Sequence, residues 1–267
     1  MVSRLFAGGL RRASMEFFYR TRLPFVSPPE TSMHKIDIPQ SVVDRVIKRR
    51  GREHIHDDLI PSKTALVVID MQNAFMPVPV AHAPCEMAPK IVPAINKLAQ
   101  AVRETGGIVI WIQTACTAGD KITWSNAHNI VSHERAKMRF AALERGSEGY
   151  ALWPEMDARP EDIYCEKHRF SAFIQGSSDL DGILRESGVD TVLITGTVTN
   201  VCCESTARDA MMLNYKVVMV SDGNAADNDE EHNATLRSIY LTFGDVMDTP
   251  MLVDLLKRRS NVRSAAE

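Results

Sequence analysis

The sequence predicts an α/β fold: a doubly wound, mainly parallel six-stranded sheet with helices on both faces. Two observations lead to this prediction. Short apolar runs alternate along the chain with helical patterns of ten or more residues, and such alternation is typical of βαβ units with right-handed crossovers. The first of these runs, ALVVID, is almost continuously apolar and ends in an acid, as expected of a strand buried on both faces of a parallel sheet.

Six segments have the composition of strands and four have that of helices. The predicted strands are residues 65–70, 108–113, 162–167, 190–196, 216–222 and 244–248. The predicted helices are residues 39–51, 87–107, 202–215 and 229–243. In the second helix, Ile91, Ile95, Leu98 and Val102 recur at helical spacing, and two glycines follow. Residues 114–160 fit the alternation least well, so we expect an excursion over the edge of the sheet.

The composition argues against a nucleic-acid or membrane partner. The chain has 267 residues, of which 45% are hydrophobic and 24% charged, and its formal net charge is −3. Positive and negative residues are interspersed, so no basic surface for nucleic acid is expected. The longest apolar runs are too short to cross a membrane. Five cysteines without C-x-x-C spacing argue against a zinc cage and favour a reduced, cytoplasmic protein.

Residues 1–58 are predicted to form an N-terminal arm with one short helix, and residues 59–267 the α/β domain. The first 40 or so residues are rich in Pro, Ser and Arg without a clear period, so we expect an arm that wraps the domain or a neighbouring subunit. The first fourteen residues contain three arginines and no acid. This composition is compatible with a targeting segment, but we favour a true start at Met15 or a tail without fixed structure.

Three chemically reactive side chains lie at the ends of predicted strands. Asp70 ends the first strand, Lys167 ends the third, and Cys202 follows the fourth. Ligands of parallel sheets bind outside the carboxyl ends of the strands, so these groups are expected to meet there. A cysteine at a helix N-terminus beside a lysine has a lowered pKa. Its thiolate can attack an amide carbonyl while Asp70 acts as general base.

Each of these residues also has a purely structural interpretation. Cys202 and Cys203 could both be small buried hydrophobic residues, which is the commoner role of cysteine. Asp70 could cap a turn, and Lys167 could pair with Glu166 or face solvent. We favour the catalytic interpretation because three suitable groups are expected at one edge of the sheet. The residues alone leave open which cysteine is the nucleophile.

Three motifs resemble, in order and spacing, those of the isochorismatase-like cysteine hydrolase family. They are ALVVIDMQNAF, EKHRFSAF and TGTVTNVCCESTARDA, and the resemblance spans about residues 60–250. It implies a Rossmann-like sheet and an Asp70–Lys167–Cys202 triad. The family pattern G-x-x-T-x-x-C places the nucleophile on Cys202 and leaves Cys203 as core packing.

The resemblance also implies an oxyanion hole next to the nucleophile. In the family, a cis peptide bond precedes the cysteine, and here it would join Thr197 to Val198. The N–H groups of Val198 and Cys202 would then bind the oxyanion of the reacting carbonyl.

Within the family, the sequence is most similar to the ureidoacrylate and N-carbamoyl amidohydrolases. KHRFSAF and TNVCCESTARD match their motifs, whereas IQTACTAGD stands where nicotinamidases have a D-x-H metal motif, so neither a metal nor a cofactor is expected. Ala74 and the loop MPVPVAHAP depart from the usual pattern and leave the shape of the substrate open. The resemblance implies a hydrolase that cleaves a C–N bond of a small ureido or amide compound through a cysteine acyl-enzyme, releasing ammonia or a carbamate.

Two alternatives to this activity remain. One is a vinyl-ether hydrolase of the isochorismatase type that uses Asp70 alone. The other is a catalytically silent binding protein with the same fold, against which the complete triad argues.

Six further residues lie in or beside segments that should border the pocket. We predict that the substrate is bound by Asn73, Phe75, Trp124, His128, Arg169 and Phe173. Arg169 could hold a substrate carboxylate or pair with an acid of the protein itself. Trp124 and His128 could form a lid or part of a subunit contact. Because family members are usually dimers or tetramers, the resemblance also implies a homo-oligomer, with a small-molecule substrate as its other partner.

Overall fold

The structure, a computed structural model, describes residues 33–264. The predicted N-terminal arm therefore lies outside the described residues up to Ser32, and so do the alternatives proposed for its first fourteen residues. None of the helices within the described range is both long and apolar enough to cross a lipid bilayer.

Within residues 33–264, six strands form one parallel sheet. They are β1 Thr64–Ile69, β2 Ile108–Thr114, β3 Ile163–Lys167, β4 Thr191–Thr197, β5 Lys216–Ala225 and β6 Asp245–Met247. Their order is β3-β2-β1-β4-β5-β6, and every neighbouring pair is parallel. The chain moves outward from β1 to β3 and returns to β4, so the strand order reverses between β1 and β4. Ligands of such sheets bind at this reversal, and the predicted fold class is confirmed.

Nine α-helices surround the sheet in the described part of the chain. They are α1 Gln40–Arg50, α2 Ala88–Glu104, α3 Asp120–Thr123, α4 Ser125–Asn129, α5 His133–Ala142, α6 Leu180–Glu186, α7 Glu204–Met212, α8 Asp229–Ser238 and α9 Thr249–Ser264. Two single turns of π-helix, Thr199–Cys203 and Ile239–Phe243, lie before α7 and after α8.

The two faces of the sheet are covered by different helices. Side chains of β1 alternate between the faces, as the pleat of a strand requires. Leu66 and Val68 belong to the core shared with α2 and α9. Ala65, Val67 and Ile69 belong to the core shared with α1, α6, α7 and α8. The sheet is therefore buried on both sides, which explains the continuous apolar run of its central strand.

Several helices differ from the prediction for identifiable reasons. The helix predicted from residue 202 begins as the π-turn Thr199–Cys203, and α7 follows it. The excursion predicted for residues 114–160 contains the short helices α3, α4 and α5. Two further helices were not predicted: α6 has only seven residues, and α9 buries only a few leucines among many charged residues.

The described part of the predicted N-terminal arm packs on the α/β domain. Val46 of α1 is buried in one of the two cores. At the end of α1, Arg49 donates a hydrogen bond to the carbonyl of Leu241 at 2.7 Å, and Arg50 donates to the carbonyls of Tyr240 and Gly244. These bonds satisfy carbonyl groups in and next to the π-turn Ile239–Phe243, which a regular helix would have paired internally.

The close approach of β4 to β1 requires a glycine at position 196. Gly196 has a φ of +118°, and a Cβ there would lie 2.7 Å from the nitrogen of Ile69 and closer still to its carbonyl oxygen. We expect Gly196→Ala to lower the free energy of unfolding by more than about 3 kcal/mol, because neither the backbone angle nor the adjacent strand can relax. Urea-induced unfolding would measure this loss.

Gly182→Ala provides a matched control for the same measurement. Gly182 lies in α6, and no heavy atom stands within 4 Å of an added Cβ. Because alanine favours helix over glycine by about 1 kcal/mol, this variant should unfold at the same or a higher urea concentration. A Gly196→Ala protein as stable as Gly182→Ala would contradict the packing argument.

Candidate active site

The carboxyl ends of β1, β2 and β3 bring three buried polar side chains into contact. The Lys167 ammonium lies 2.8 Å from Oδ2 of Asp70 and donates to Oγ1 of Thr114 at 2.5 Å. Thr114 in turn donates to Oδ1 of Asp70 at 2.8 Å. Thr114 and Lys167 are direct partners in the register of β2 and β3, which explains why the lysine reaches across. An ion pair away from water is tolerated only with such additional hydrogen bonds.

Cys202 lies beside this ion pair on the turn that follows β4. Its sulfur is 3.6 Å from the Lys167 ammonium, and the residue is buried at 6% exposure. Thr206 of α7 donates to the Cys202 carbonyl at 2.7 Å and ties the turn to the helix. Asp70, Lys167 and Cys202 are thus together at the reversal of strand order.

Burial is the largest influence on the pKa values of Cys202 and Lys167. Burial raises the pKa of Cys202 to about 12; Lys167 opposes the rise and Asp70 adds to it. For Lys167, burial acts to lower the pKa, but the negative charge of Asp70 holds it above its usual value. The expected lowering of the Cys202 pKa is therefore wrong, because desolvation of the thiol outweighs its charged neighbour. The thiol keeps its proton until a base removes it.

The peptide bond between Thr197 and Val198 is cis in the structure. Val198 directly precedes the π-turn that contains Cys202, and both residues line the same cavity. The oxyanion-binding role of their N–H groups stays a prediction.

Cys202 lies at the wall of a cavity of about 490 Å³. Helix α5 contributes Arg135 and Arg139 to its lining, while Asp227 and Glu231 come from the start of α8 and the loop before it. The cavity thus has both cationic and anionic walls. Separately, no group of three or more His, Cys, Asp or Glu side chains within residues 33–264 has a geometry suited to a metal ion.

Of the six predicted binding residues, only Phe75 and Arg169 are among those that line this cavity. Arg169 is already engaged: it pairs with Asp120 at 3.0 Å and donates to Thr123 at 3.1 Å. Of the two partners considered for this arginine, the structure therefore shows an acid of the protein itself.

The other four predicted binding residues are placed behind the lining or away from it. Asn73 donates to the backbone carbonyl of Glu148 at 2.9 Å. Phe173 packs on the ring of Tyr215 in one of the two cores. The remaining two, Trp124 and His128, make aromatic contacts within the layer of short helices.

Trp124 contributes to the site indirectly, through Arg139. The Arg139 guanidinium lies 4.8 Å from the ring centre of Trp124 and 5.6 Å from that of Phe170. Cation–π contacts of this kind hold a guanidinium without using its N–H groups. Nε of Arg139 is buried and has no hydrogen-bond partner among the described residues.

Two more cavity residues carry unpaired polar atoms. Nε2 of His82 and Oδ1 of Asn200 are buried and have no hydrogen-bond partner within residues 33–264. Burial, together with the charges of Arg139 and Arg135, lowers the pKa of His82 to about 4, so the ring is neutral near pH 7. Buried polar atoms without partners are uncommon, and three of them at one cavity are suited to a polar ligand.

Some of the site residues that were not predicted could have been identified from the sequence. Thr114 ends the second strand, so the rule that selected Asp70 and Lys167 also applies to it. Arg135 and Arg139 are four residues apart and share one helix face. No sequence pattern indicated His82 or Asn200.

Comparisons with known proteins identify the family to which the sequence is similar. The sequence model described as the isochorismatase domain matches residues 64–251. An uncharacterized isochorismatase family protein of Bacillus subtilis, YwoC, is 30% identical over 195 residues, which cover 73% of this chain and 95% of the relative.

Two solved structures are informative neighbours. A cysteine hydrolase from Pseudomonas syringae pv. phaseolicola has a TM-score of 0.68 and 29% identity, covering 75% of this chain and 95% of that one. An N-carbamoylsarcosine amidase from Thermoplasma acidophilum has a TM-score of 0.56 and 28% identity, covering 70% of this chain and 96% of that one.

Removal of the buried lysine should destabilise the fold. Lys167→Met leaves the Asp70 carboxylate buried without its positive partner, and we expect a loss of about 3–5 kcal/mol in the free energy of unfolding. The double variant Lys167→Met with Asp70→Asn removes both charges and should recover part of this loss. Urea unfolding of the three proteins at pH 7 is the measurement. A single variant as stable as the wild type would show that the pair is not a buried ionic interaction.

Proposed function

The chain belongs to the isochorismatase family, and on this premise we propose that it is a cysteine-dependent amidohydrolase acting on a small ureido or amide compound. Its membership places it in a family of hydrolases. One observation carries the finer proposal: a thiol, an ammonium and a carboxylate are in contact beside the cavity. The name of one structural neighbour, N-carbamoylsarcosine amidase, supports cleavage of a C–N bond.

The proposed reaction begins with attack of the Cys202 sulfur on the substrate carbonyl. Because the resting thiol is protonated, attack requires a base, and Asp70 accepts the proton. Lys167, charged and 3.6 Å from the sulfur, stabilises the developing thiolate. The negative oxygen of the tetrahedral intermediate is bound by the N–H groups of Val198 and Cys202.

The C–N bond then breaks, and the leaving amine takes the proton from Asp70. This leaves an acyl group on the Cys202 sulfur. Water, deprotonated by the same carboxylate, attacks this thioester and releases the acid or carbamate together with the free thiol. Asp70 thus transfers one proton in each direction during each half of the reaction.

The cavity favours a substrate that carries a carboxylate. Arg135 and Arg139 line it and form no ion pair with a carboxylate of the described residues. An arginine is suited to bind a planar carboxylate. We therefore propose that the carboxylate of a ureido acid binds at these two side chains.

Asn200 provides a complementary site for the ureido group. Its Nδ2 donates to Glu231 at 3.2 Å, and this bond fixes the amide so that Oδ1 is left as an acceptor. A ureido group offers several N–H donors and would satisfy the unpaired Oδ1. The two kinds of cavity wall match the two ends of such a molecule.

The function is tested by ammonia release from ureidoacrylate, N-carbamoyl amino acids, nicotinamide and simple amides. Cys202→Ala should lower kcat at least about a thousandfold, because no other group replaces the nucleophile. Cys203→Ala is the matched control: this neighbour is equally buried, and its sulfur faces the carbonyl of Thr195. It should lose stability but keep kcat within about threefold. Turnover that survives Cys202→Ala would overturn the assignment of Cys202 as the nucleophile.

Arg139 should affect affinity for the carboxylate rather than the chemical step. We expect Arg139→Gln to raise KM for a carboxylate substrate roughly tenfold or more, with little change for its neutral amide analogue. Lys137→Gln removes the same charge from an exposed position of α5 outside the cavity lining, and KM should not change. Equal effects of Arg139→Gln on the charged and neutral compounds would rule out a carboxylate site at this arginine.

A further inference from the structure

A buried histidine joins the turn that carries Cys202 to the sheet. His232 of α8 is fully buried, and its Nε2 lies 3.0 Å from the backbone carbonyl of Ser221 in β5. Its Nδ1 lies 2.9 Å from Oγ1 of Thr199. Thr199 is the first residue of the π-turn and directly follows Val198, and Cys202 comes three residues later.

The partners of His232 determine its tautomer. The Ser221 carbonyl can only accept a hydrogen bond, so Nε2 must carry a proton. In the neutral ring Nδ1 is then an acceptor, and the Thr199 hydroxyl donates to it. Burial, with a smaller contribution from the neighbouring His34, lowers the pKa of His232 to about 4, so the ring is neutral near pH 7. A protonated ring would have no acceptor for Thr199.

A second histidine, His34, covers the ring of His232. The rings of His34 and His232 are stacked, with centroids 4.3 Å apart and planes inclined by 11°. Nε2 of His34 accepts the Ala226 N–H at 3.0 Å, and its Nδ1 therefore donates to Asp229 at 2.7 Å. His34 thereby holds the loop before α8 and the first turn of that helix.

The segment around His34 is fixed along α8. Asn233 accepts the N–H of Asp37 at 2.7 Å and donates to the carbonyl of Lys35 at 2.9 Å. Arg237 forms an ion pair with Asp37 at 2.6 Å. These contacts hold the segment that carries His34 against α8, and the His34 ring covers one face of His232.

The π-turn and α8 are joined by two adjacent hydrogen bonds. Thr199 bonds to His232, and Asn200 bonds to Glu231. The first bond is fully buried, whereas the second is at the cavity. A turn that departs from regular helical pairing depends on such bonds to remain in one conformation.

We propose that His232, in its neutral Nε2–H form and enclosed by His34, is a positioning residue that sets the distance between the Cys202 sulfur and Lys167 through its hydrogen bond with Thr199. The inference rests on the role proposed above for Cys202. His232 acts on the thiol through the backbone of the π-turn. Without this bond, the turn can shift, and the sulfur then moves away from the ammonium that stabilises its thiolate.

The reactivity of Cys202 tests this inference without knowledge of the substrate. Alkylation of Cys202 by iodoacetamide is followed by mass spectrometry as a function of pH. The titratable groups that touch its thiol are Asp70 and Lys167, and neither is altered. Thr199→Val removes the donor with little change in volume, and His232→Gln keeps a group at the Nε2 position but loses the acceptor at Nδ1. Each should slow labelling roughly three- to tenfold and move its pH profile upward.

Conservative variants distinguish positioning from general stability. Thr199→Ser keeps the donor and His232→Asn keeps an acceptor near Nδ1, so both should label faster than Thr199→Val and His232→Gln. The double variant Thr199→Val with His232→Gln should label no slower than the slower single variant, because both remove the same bond. Thr64→Val is the control, since its buried hydroxyl bonds to the carbonyl of Ile60 at the opposite end of β1. It should label like the wild type.

The outcomes separate this inference from the proposed function. Labelling of Thr199→Val and His232→Gln at the wild-type rate and pH profile would overturn the positioning role, and so would additive effects in the double variant. The proposed function fails in a different experiment, if Cys202→Ala remains active. ¹⁵N NMR of the histidine rings gives an independent readout: Nδ1 of His232 should stay unprotonated between about pH 5 and pH 8, and protonation in that range would contradict the tautomer.

Discussion

The buried contact between Lys167 and Asp70 is the constraint on which the rest of the site depends. Neither charge could stay in the dry interior alone, because removal of either ion from water costs several kcal/mol. The contact exists only because three neighbouring strands end at the same level, so that β3 can present its last residue across β2 to β1. Cys202 can then lie at 3.6 Å from a fixed positive charge. The strand ends alone therefore bring the buried ion pair together.

The helices around the sheet line the cavity and contact the π-turn that carries Cys202. Helix α5 presents Arg135 and Arg139 to the cavity, and Arg139 is held by aromatic rings rather than by acids. Its buried Nε has no hydrogen-bond partner within residues 33–264. Helix α8 carries both Glu231, which lines the cavity, and the buried His232.

Much of the fold and the three reactive residues could be predicted from the sequence, because strand-length apolar runs and strand-end positions are local patterns. Thr114 could have been found by the same rule. The protonation of Cys202 could not, since its pKa depends on burial that no local pattern reports. Likewise, Phe173 and Asn73 lie next to predicted site segments, yet their side chains pack or bond elsewhere. The homo-oligomer, the cytoplasmic location and the absence of a metal stay predictions.

The hydroxyl of Thr114 distinguishes the two oxygens of the Asp70 carboxylate. An ammonium can only donate a hydrogen bond and a carboxylate can only accept one, so the threonine proton must point toward Oδ1 of Asp70. That oxygen accepts the hydroxyl, whereas Oδ2 lies 2.8 Å from the ammonium. In the proposed reaction, the proton of the thiol would therefore be accepted at Oδ2, the oxygen that faces the lysine, and the adjacent ammonium would favour its return. Thr114 thus makes the two oxygens of one carboxylate chemically different.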